Sequence, residues 1–284
     1  MRKASDLSYA SEFRCRFRKA IISIVEMLSG RGKLFRLYRR HVHGVPYTGE
    51  ADFWRNIMRG LSVGLNVDAY QLERIPREGP LVVVANHPFG VLDGIIISYL
   101  ISQVRRDYKV MTTSVLNVAP QVEPFLIPVH FDEKGLPLKS NFEARKKAMD
   151  TLLAGGCVVV FPAGGVSTTK SPFGRRAVDS DWQPFIGKMI QRSGANVVPI
   201  FFHGQNSRLF QIASHISVTL RHSLFLKELV RRIGSRVDVI IDAPIPYEEL
   251  AHMKDRGELS SYLRARTYAA GNPDSFSAAT ASSY

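Results

Sequence analysis

His87 and Asp93 stand six positions apart in Asn86-His87-Pro88-Phe89-Gly90-Val91-Leu92-Asp93-Gly94. An imidazole exchanges a proton near neutral pH, and a carboxylate accepting its other N–H fixes the tautomer and stabilises the imidazolium. The two therefore form a candidate general base with its orienter. Six positions along a straight helix would put these side chains on different faces, but Pro88 and Gly90 mark the segment between them as a turn that can fold back. A buried packing histidine beside a helix-capping aspartate would show the same residues, so both readings stay open at this point. A second stretch, Phe161-Pro162-Ala163-Gly164-Gly165-Val166-Ser167-Thr168-Thr169-Lys170, has glycines that let a ligand approach the backbone, and donors in Ser167, Thr168 and Lys170. It lacks the terminal Gly-Lys-Ser/Thr of a nucleotide P-loop, and Ser167 lacks the Gly-x-Ser-x-Gly elbow of a hydrolase nucleophile. Lys170, Arg175 and Arg176 are candidate anion ligands, although solvated surface charges would look alike.

Both stretches follow short apolar runs. Strands are expected over 81–85, 157–161, 197–202 and 237–241, with further ones over 109–113 and 125–131; helices are expected over 95–104 and 141–153, the latter stopped by Gly155-Gly156. From residue 72 onward this alternation indicates an α/β domain with a mixed, mostly parallel central sheet flanked by helices. Ligands gather at the strand ends of such folds. His203, Asn206 and Ser207 lie just past the run 197–202 on that edge, where a satisfied structural network would explain them equally well. Ahead of the domain, 12–41 reads as basic amphipathic helix broken at Ser29-Gly30-Arg31-Gly32. The expected division is 1–60 as basic, membrane-associating helices, 61–268 as the domain bearing the two polar stretches, and 269–284 as a Ser- and Ala-rich disordered tail.

With 284 residues, 45% hydrophobic and 22% charged, the chain suits one large globular domain and excludes collagenous, wholly disordered and disulfide-framework classes. Cys15 and Cys157 match no disulfide or zinc pattern, and His41, His43, His130, His215, His222 and His252 show no ligand spacing, so no metal or cofactor is expected. No apolar run reaches bilayer-spanning length and no secretory signal is evident. The net charge of +13 implies an anionic partner. Residues 1–60 carry 13 basic against five acidic residues, so eight of those charges fall in the first fifth of the chain. Basic and apolar residues interleaved on helices suit an anionic membrane surface. No zinc finger, helix-turn-helix or stacking platform accompanies the charge, so nucleic acid is not an expected partner. The expected location is peripheral, on the cytoplasmic face of the inner (cell) membrane.

Taken in order, the two stretches resemble the glycerolipid acyltransferase family typified by lysophosphatidic acid acyltransferases. That family joins Asn-His-x4-Asp to a later Phe-Pro-Glu-Gly-x-x-Ser and a final Val-x-Pro; the matches are Asn86, His87 and Asp93, then Phe161, Pro162, Gly164 and Ser167, then Val197, Val198 and Pro199. The resemblance covers about residues 65–250. Three departures stand out: five residues instead of four separate His87 from Asp93, Ala163 replaces the glutamate, and no Gly-x-x-Phe-x-Arg stretch is recognisable between Lys109 and Phe131. Together with Trp182-Gln183-Pro184-Phe185 and His203-Gly204-Gln205-Asn206-Ser207-Arg208-Leu209-Phe210, the first two resemble the hemolysin-like branch, which includes acyltransferase domains that make ornithine and other amino-acid lipids.

The resemblance implies direct acyl transfer with no covalent enzyme intermediate. His87 would deprotonate the acceptor hydroxyl while Asp93 orients it, and Asn86, Gly90, Phe161, Pro162, Gly164, Gly165, Ser167, Lys170 and Arg175 would bind substrate. The implied donor is acyl carrier protein or coenzyme A carrying an acyl thioester. The implied acceptor is a lyso-lipid, with a lyso-amino-acid lipid such as lyso-ornithine lipid favoured, a lysophospholipid as the alternative, and a non-catalytic membrane-binding relative as the remaining reading.

Overall fold

The computed structural model describes residue 8 and residues 16–42, 50–112, 122–129 and 138–272. Along these run α1 (Arg16–Leu28), α2 (Arg31–His41), α3 (Glu50–Leu61), β1 (Gly64–Asn66), α4 (Ala69–Leu72), β2 (Leu81–Ala85), α5 (Val91–Ser102), β3 (Tyr108–Thr112), β4 (Leu126–Pro128) and α6 (Leu138–Leu153). There follow β5 (Cys157–Val160), β6 (Thr168–Thr169), β7 (Ala177–Val178), α7 (Phe185–Ser193), β8 (Asn196–Phe202), α8 (Arg208–Ile216), α9 (Val218–Ser223), α10 (Phe225–Arg231), β9 (Arg236–Ile241), α11 (Tyr247–Leu250) and α12 (Arg256–Ala270).

A strand covered by helices on both faces needs apolar side chains at every position, and all five residues of β2 are buried. β2 lies parallel between β5 and β8 in a seven-stranded sheet of order β1-β9-β8-β2-β5-β3-β4. Every pairing in that sheet is parallel except β8 with β9, so the fold is the mixed, mostly parallel α/β layer expected. The two-residue alternation sorts side chains into two cores. Leu81, Val83 and Ala85 pack with Phe53, Trp54, Ile96 and Leu226, while Val82 and Val84 pack with Ala148, Ile190 and Leu263. Helix α5, apolar nearly all round, is buried along almost its whole length beneath α3.

The amphipathic helices at the start of the chain belong to this body. Ile22, Leu34, Phe53 and Trp54 join the first core, and the Trp54 indole N–H donates to the Tyr108 hydroxyl at 2.8 Å. The expected boundary near residue 60 therefore falls inside one packed unit, because α3 packs on α5, α2 on α3 and α10, and α1 on α9, all over the same core. The break between α1 and α2 lies where expected, with Gly30 at φ 100°. At the other end α12 continues to Ala270, past the expected end of the domain at 268; residues 273–284 of the expected tail lie outside the described residues, as do Cys15, His43 and His130. No described helix is long and apolar enough to cross a membrane.

Where β2, β3 and β5 begin, one buried guanidinium joins them. Arg105 Nε and Nη2 donate to the Asp107 carboxylate at 2.8 and 2.5 Å. Nη1 reaches the carbonyls of Pro76 and Gly79 at 3.1 and 2.9 Å, and Nη2 reaches that of Gly155 at 2.9 Å. All five N–H groups of the side chain are thus engaged. Cys157 is buried beside this knot, and burial pushes its thiol up to about 12, which makes it a packing residue.

Candidate active site

The opposite edge of the sheet carries both polar stretches. Asn86 follows β2, and its Nδ2 donates to the Phe202 carbonyl at 2.9 Å while its Oδ1 accepts the Phe202 N–H at 2.7 Å. This side chain, expected to touch substrate, splices the end of β2 to the end of β8. The chain then turns through Pro88 to Gly90, whose φ of 77° and ψ of −117° exclude an L side chain; a Cβ there would also stand 3.2 Å from Val166. That turn accommodates the fifth intervening residue and folds the first turn of α5 back over His87.

Asp93 does what both readings of the sequence asked. Its Oδ2 accepts the N–H groups of Phe89 and Gly90 at 2.8 and 2.9 Å, capping α5, and lies 3.0 Å from His87 Nδ1. The imidazole N–H is not aligned linearly on that oxygen, a common state of unliganded sites, and Asp93 Oδ1 has no hydrogen-bond partner. Full burial raises the Asp93 pKa, while His87 and the two backbone N–H groups pull it down. With Nδ1 facing the carboxylate, Nε2 is the nitrogen left for a ligand, and the side chain is 16% exposed.

The glycine-containing loop after β5 completes the setting. The Phe161 ring stacks on the imidazole with centroids 4.1 Å apart and 25° between planes. Gly164, at φ 70°, donates its N–H to the Phe161 carbonyl, closing a tight turn. The Ser167 N–H donates to the His87 carbonyl at 2.8 Å, and no described residue accepts from the N–H groups of Gly165 and Val166.

A carboxylate that the sequence reading did not single out joins the two loops. Asp179 is 2% exposed. Its Oδ1 accepts from the Ser167 hydroxyl at 2.5 Å and the His87 backbone N–H at 3.2 Å, and its Oδ2 accepts from the Trp182 indole at 3.0 Å. Helix α12 holds it from behind: the Asp179 N–H donates to the Tyr268 hydroxyl and Arg264 donates to its carbonyl, both at 2.7 Å. Burial, reinforced by the Asp179 charge, pushes the Tyr268 hydroxyl up to about 12. The available signal was Trp182 within a conspicuous motif, since a buried indole N–H needs an acceptor nearby.

Ser167 is 1% exposed with its proton directed at Asp179, which links the two loops, and the Pro162 carbonyl is taken by the Gln183 N–H. Lys170 and Arg175 are exposed on the β6–β7 hairpin and make no contact with His87 or Asp93 among the described residues. Phe161, Gly90, Gly164 and Gly165 do fall around the imidazole or in the loop beside it.

A family model described as acyltransferase matches residues 26–274. Two lyso-glycine lipid O-acyltransferases are similar over 76% of this chain: that of Phocaeicola vulgatus is 23% identical, covering 77% of its length, and that of Bacteroides thetaiotaomicron is 26% identical, covering 79%. The crystal structure of the 1-acyl-sn-glycerophosphate acyltransferase PlsC from Thermotoga maritima aligns over 90% of this chain and 98% of its own, with a TM-score of 0.46 and 14% identity. The family match runs through both strand-end loops and all seven strands of the sheet, so the chain belongs to the acyltransferase family and is an acyl-transferring enzyme.

Proposed function

We propose that the protein transfers a fatty acyl group from an acyl thioester to the hydroxyl of a lyso-lipid, with His87 as general base and Asp93 as its orienter. The observation that carries this reading is the 3.0 Å approach of His87 Nδ1 to Asp93 Oδ2 at the ligand-binding edge of the sheet. Nε2 takes the acceptor's hydroxyl proton as the oxygen attacks the thioester carbonyl; the C–S bond breaks as the ester C–O bond is kept, and the proton passes to the departing thiolate. The N–H groups of Gly165 and Val166 serve as donors to the developing oxyanion. An apolar recess lined by Leu37, Tyr38, Ile57, Val91, Ile95 and Leu229 opens beside the start of α5 and suits an acyl chain. Both acyl carrier protein and coenzyme A are anionic, so the basic surface accommodates either donor.

The acceptor is an amino-acid lipid bearing one acyl chain. The relatives' names support this class and favour glycine over ornithine as its head group. The enzyme reaches it by lying on an anionic membrane. Ile24, Met27 and Leu28 are each more than half exposed along α1, which packs on α9, and Ile216 is 69% exposed where α8 meets α9. With Arg16 and Lys19 on the same helix, this is an apolar ledge rimmed by positive charge.

The test is incubation of purified protein with an N-(hydroxyacyl)glycine and an acyl thioester, with the product read by mass spectrometry. A diacylated product formed by wild type and absent with His87→Ala is expected; equal product from both proteins would remove the general-base assignment. Membrane docking is read by flotation with phosphatidylglycerol vesicles. Because Ile22 and Leu34 lie in the core, the suitable variant is M27D/L28D, not a deletion. It should float poorly while keeping its melting temperature, and undiminished flotation would count against α1 as the docking element.

A further inference from the structure

The loop between β8 and α8 faces the imidazole turn across the Phe89 ring. A Cβ on Gly204 would stand 2.6 Å from Phe89 Cζ, so the loop backbone packs directly on that ring, and the Arg232 guanidinium lies 4.1 Å from its centroid. Most polar side chains here have structural partners. Gln205 accepts the Ala177 N–H and donates to the Arg175 carbonyl. The Ser207 hydroxyl donates to Glu228 and caps α8. Asn206 does neither: it is 2% exposed, and both its Nδ2 and its Oδ1 are buried without a partner. Such a group is costly in a folded protein unless something else satisfies it.

Arg232 is the second unmatched group. Its Nη2 donates to the Gln205 carbonyl at 2.8 Å, and no carboxylate pairs with it among the described residues. Glu228, four residues earlier, is engaged by Ser207 and Arg231. Burial and Arg231 weaken the guanidinium's hold on its proton while Glu228 and Asp93 strengthen it, which places Arg232 within electrostatic reach of the candidate catalytic carboxylate. The loop thus holds one buried carboxamide with donor and acceptor both open, beside one half-buried cation with donors to offer.

We propose that Asn206 and Arg232 form the acceptor's head-group subsite, Asn206 pairing with an amide and Arg232 with a carboxylate. An amino acid acylated on its amine presents those two groups together, and a glycerol phosphate ester presents neither an amide nor a carboxylate. The inference rests on the acyl-transfer reading above and specifies which part of the acceptor that site selects. Entry requires the Arg232 side chain to swing off Phe89, which its half-buried position permits. The fork of the guanidinium suits a carboxylate in two-point contact.

The experiment is calorimetric titration of the wild-type protein with N-(hydroxydecanoyl)glycine and with its methyl ester, which keeps the amide and hydroxyl but removes the charge. The acid should bind about ten- to a hundredfold tighter, the size of a hydrogen bond to a charged group. Arg232→Gln should bring the ratio towards one, with Arg232→Lys in between, while Asn206→Ala should weaken acid and ester alike. Equal binding of acid and ester by wild type, which needs no variant to fold, would overturn the proposal, as would an unchanged ratio in Arg232→Gln at unaltered melting temperature. Acylation of the same compounds separates the two readings. Equal turnover of acid and methyl ester leaves acyl transfer standing and overturns the subsite; binding selectivity without turnover does the reverse.

Discussion

Arg105 at one edge of the sheet and His87 at the other each sit beside an aspartate, and they are treated in opposite ways. At the edge where the strands begin, every N–H of Arg105 is matched. At the edge where they end, His87 Nδ1, Asp93 Oδ1 and both amide atoms of Asn206 lack hydrogen-bond partners. The two aspartates differ in the same sense: the Arg105 hydrogen bond lowers the Asp107 pKa, whereas burial raises that of Asp93. Complete matching is what stabilises a buried polar group, and incomplete matching is what a binding site must keep for its ligand. One edge serves the fold and the other the chemistry.

The sharpest way to break this contrast is His87→Ala, which should lower turnover by roughly 10²- to 10⁴-fold, the usual size of general-base assistance, with melting temperature nearly unchanged. Next is Arg105→Gln, which should do the opposite. It is expected to cost about 3 kcal/mol in urea unfolding, the low end for a broken buried pair since the Asp107 side chain is 51% exposed, while turnover per folded molecule stays at the wild-type level. Asp179→Asn falls between the two edges in kind. It should cost about 1–3 kcal/mol, since the carboxamide oxygen can keep Ser167 and the His87 N–H while the Trp182 indole loses its acceptor, and reduce turnover because the anchor of the His87 backbone is itself held less firmly; a drop in stability with full activity per folded molecule would make Asp179 structural only.

The smallest effects concern pH. A carboxyl whose pKa is lowered on folding contributes stability above its ordinary value of 3.8 and loses it as pH falls through the lowered value. One whose pKa is raised costs stability when ionised: the cost is full above the raised value and disappears below 3.8. At pH 7 Asp107→Asn should therefore lower the melting temperature slightly, by no more than about 1 kcal/mol in stability, and Asp93→Asn should hold or raise it while reducing turnover. The Asp93 difference should shrink as the pH falls towards 3.8 and the Asp107 difference only below 3.8, and two melting curves of the same sign would dissolve the contrast.

How far the sequence spoke depended on whether the signal was local. The run Leu81 to Ala85 is a strand as expected, because five consecutive apolar residues between Pro80 and Asn86 have few other ways to be satisfied. The segments 109–113 and 125–131 were legible in part: β3 runs over 108–112 and β4 only over 126–128, while residues 113, 130 and 131 lie outside the described residues. Helices α8 to α10 and the β6–β7 hairpin were not expected: each of these elements is nine residues or shorter, which leaves little room for a periodic signal. In α12 buried Ser260 and Thr267, which turn their hydroxyls onto their own helix, interrupt the apolar stripe that would have announced it.

Composition and motif spacing by themselves determined the α/β class and the basic N-terminal helices, and offered His87 with Asp93 and the glycine-containing loop as candidates, because each depends on residues near one another in the chain. Only the tertiary structure decided what those residues contact. It placed Asn86 between the ends of β2 and β8 and Ser167 between the loops, brought Asp179 to both loops from 92 and 12 positions away, and buried Asn206 without a partner in the loop whose Gly204 packs on Phe89. Local sequence states which groups are present, whereas the matching of donors to acceptors in a buried site is settled by strands that meet only once the sheet has formed.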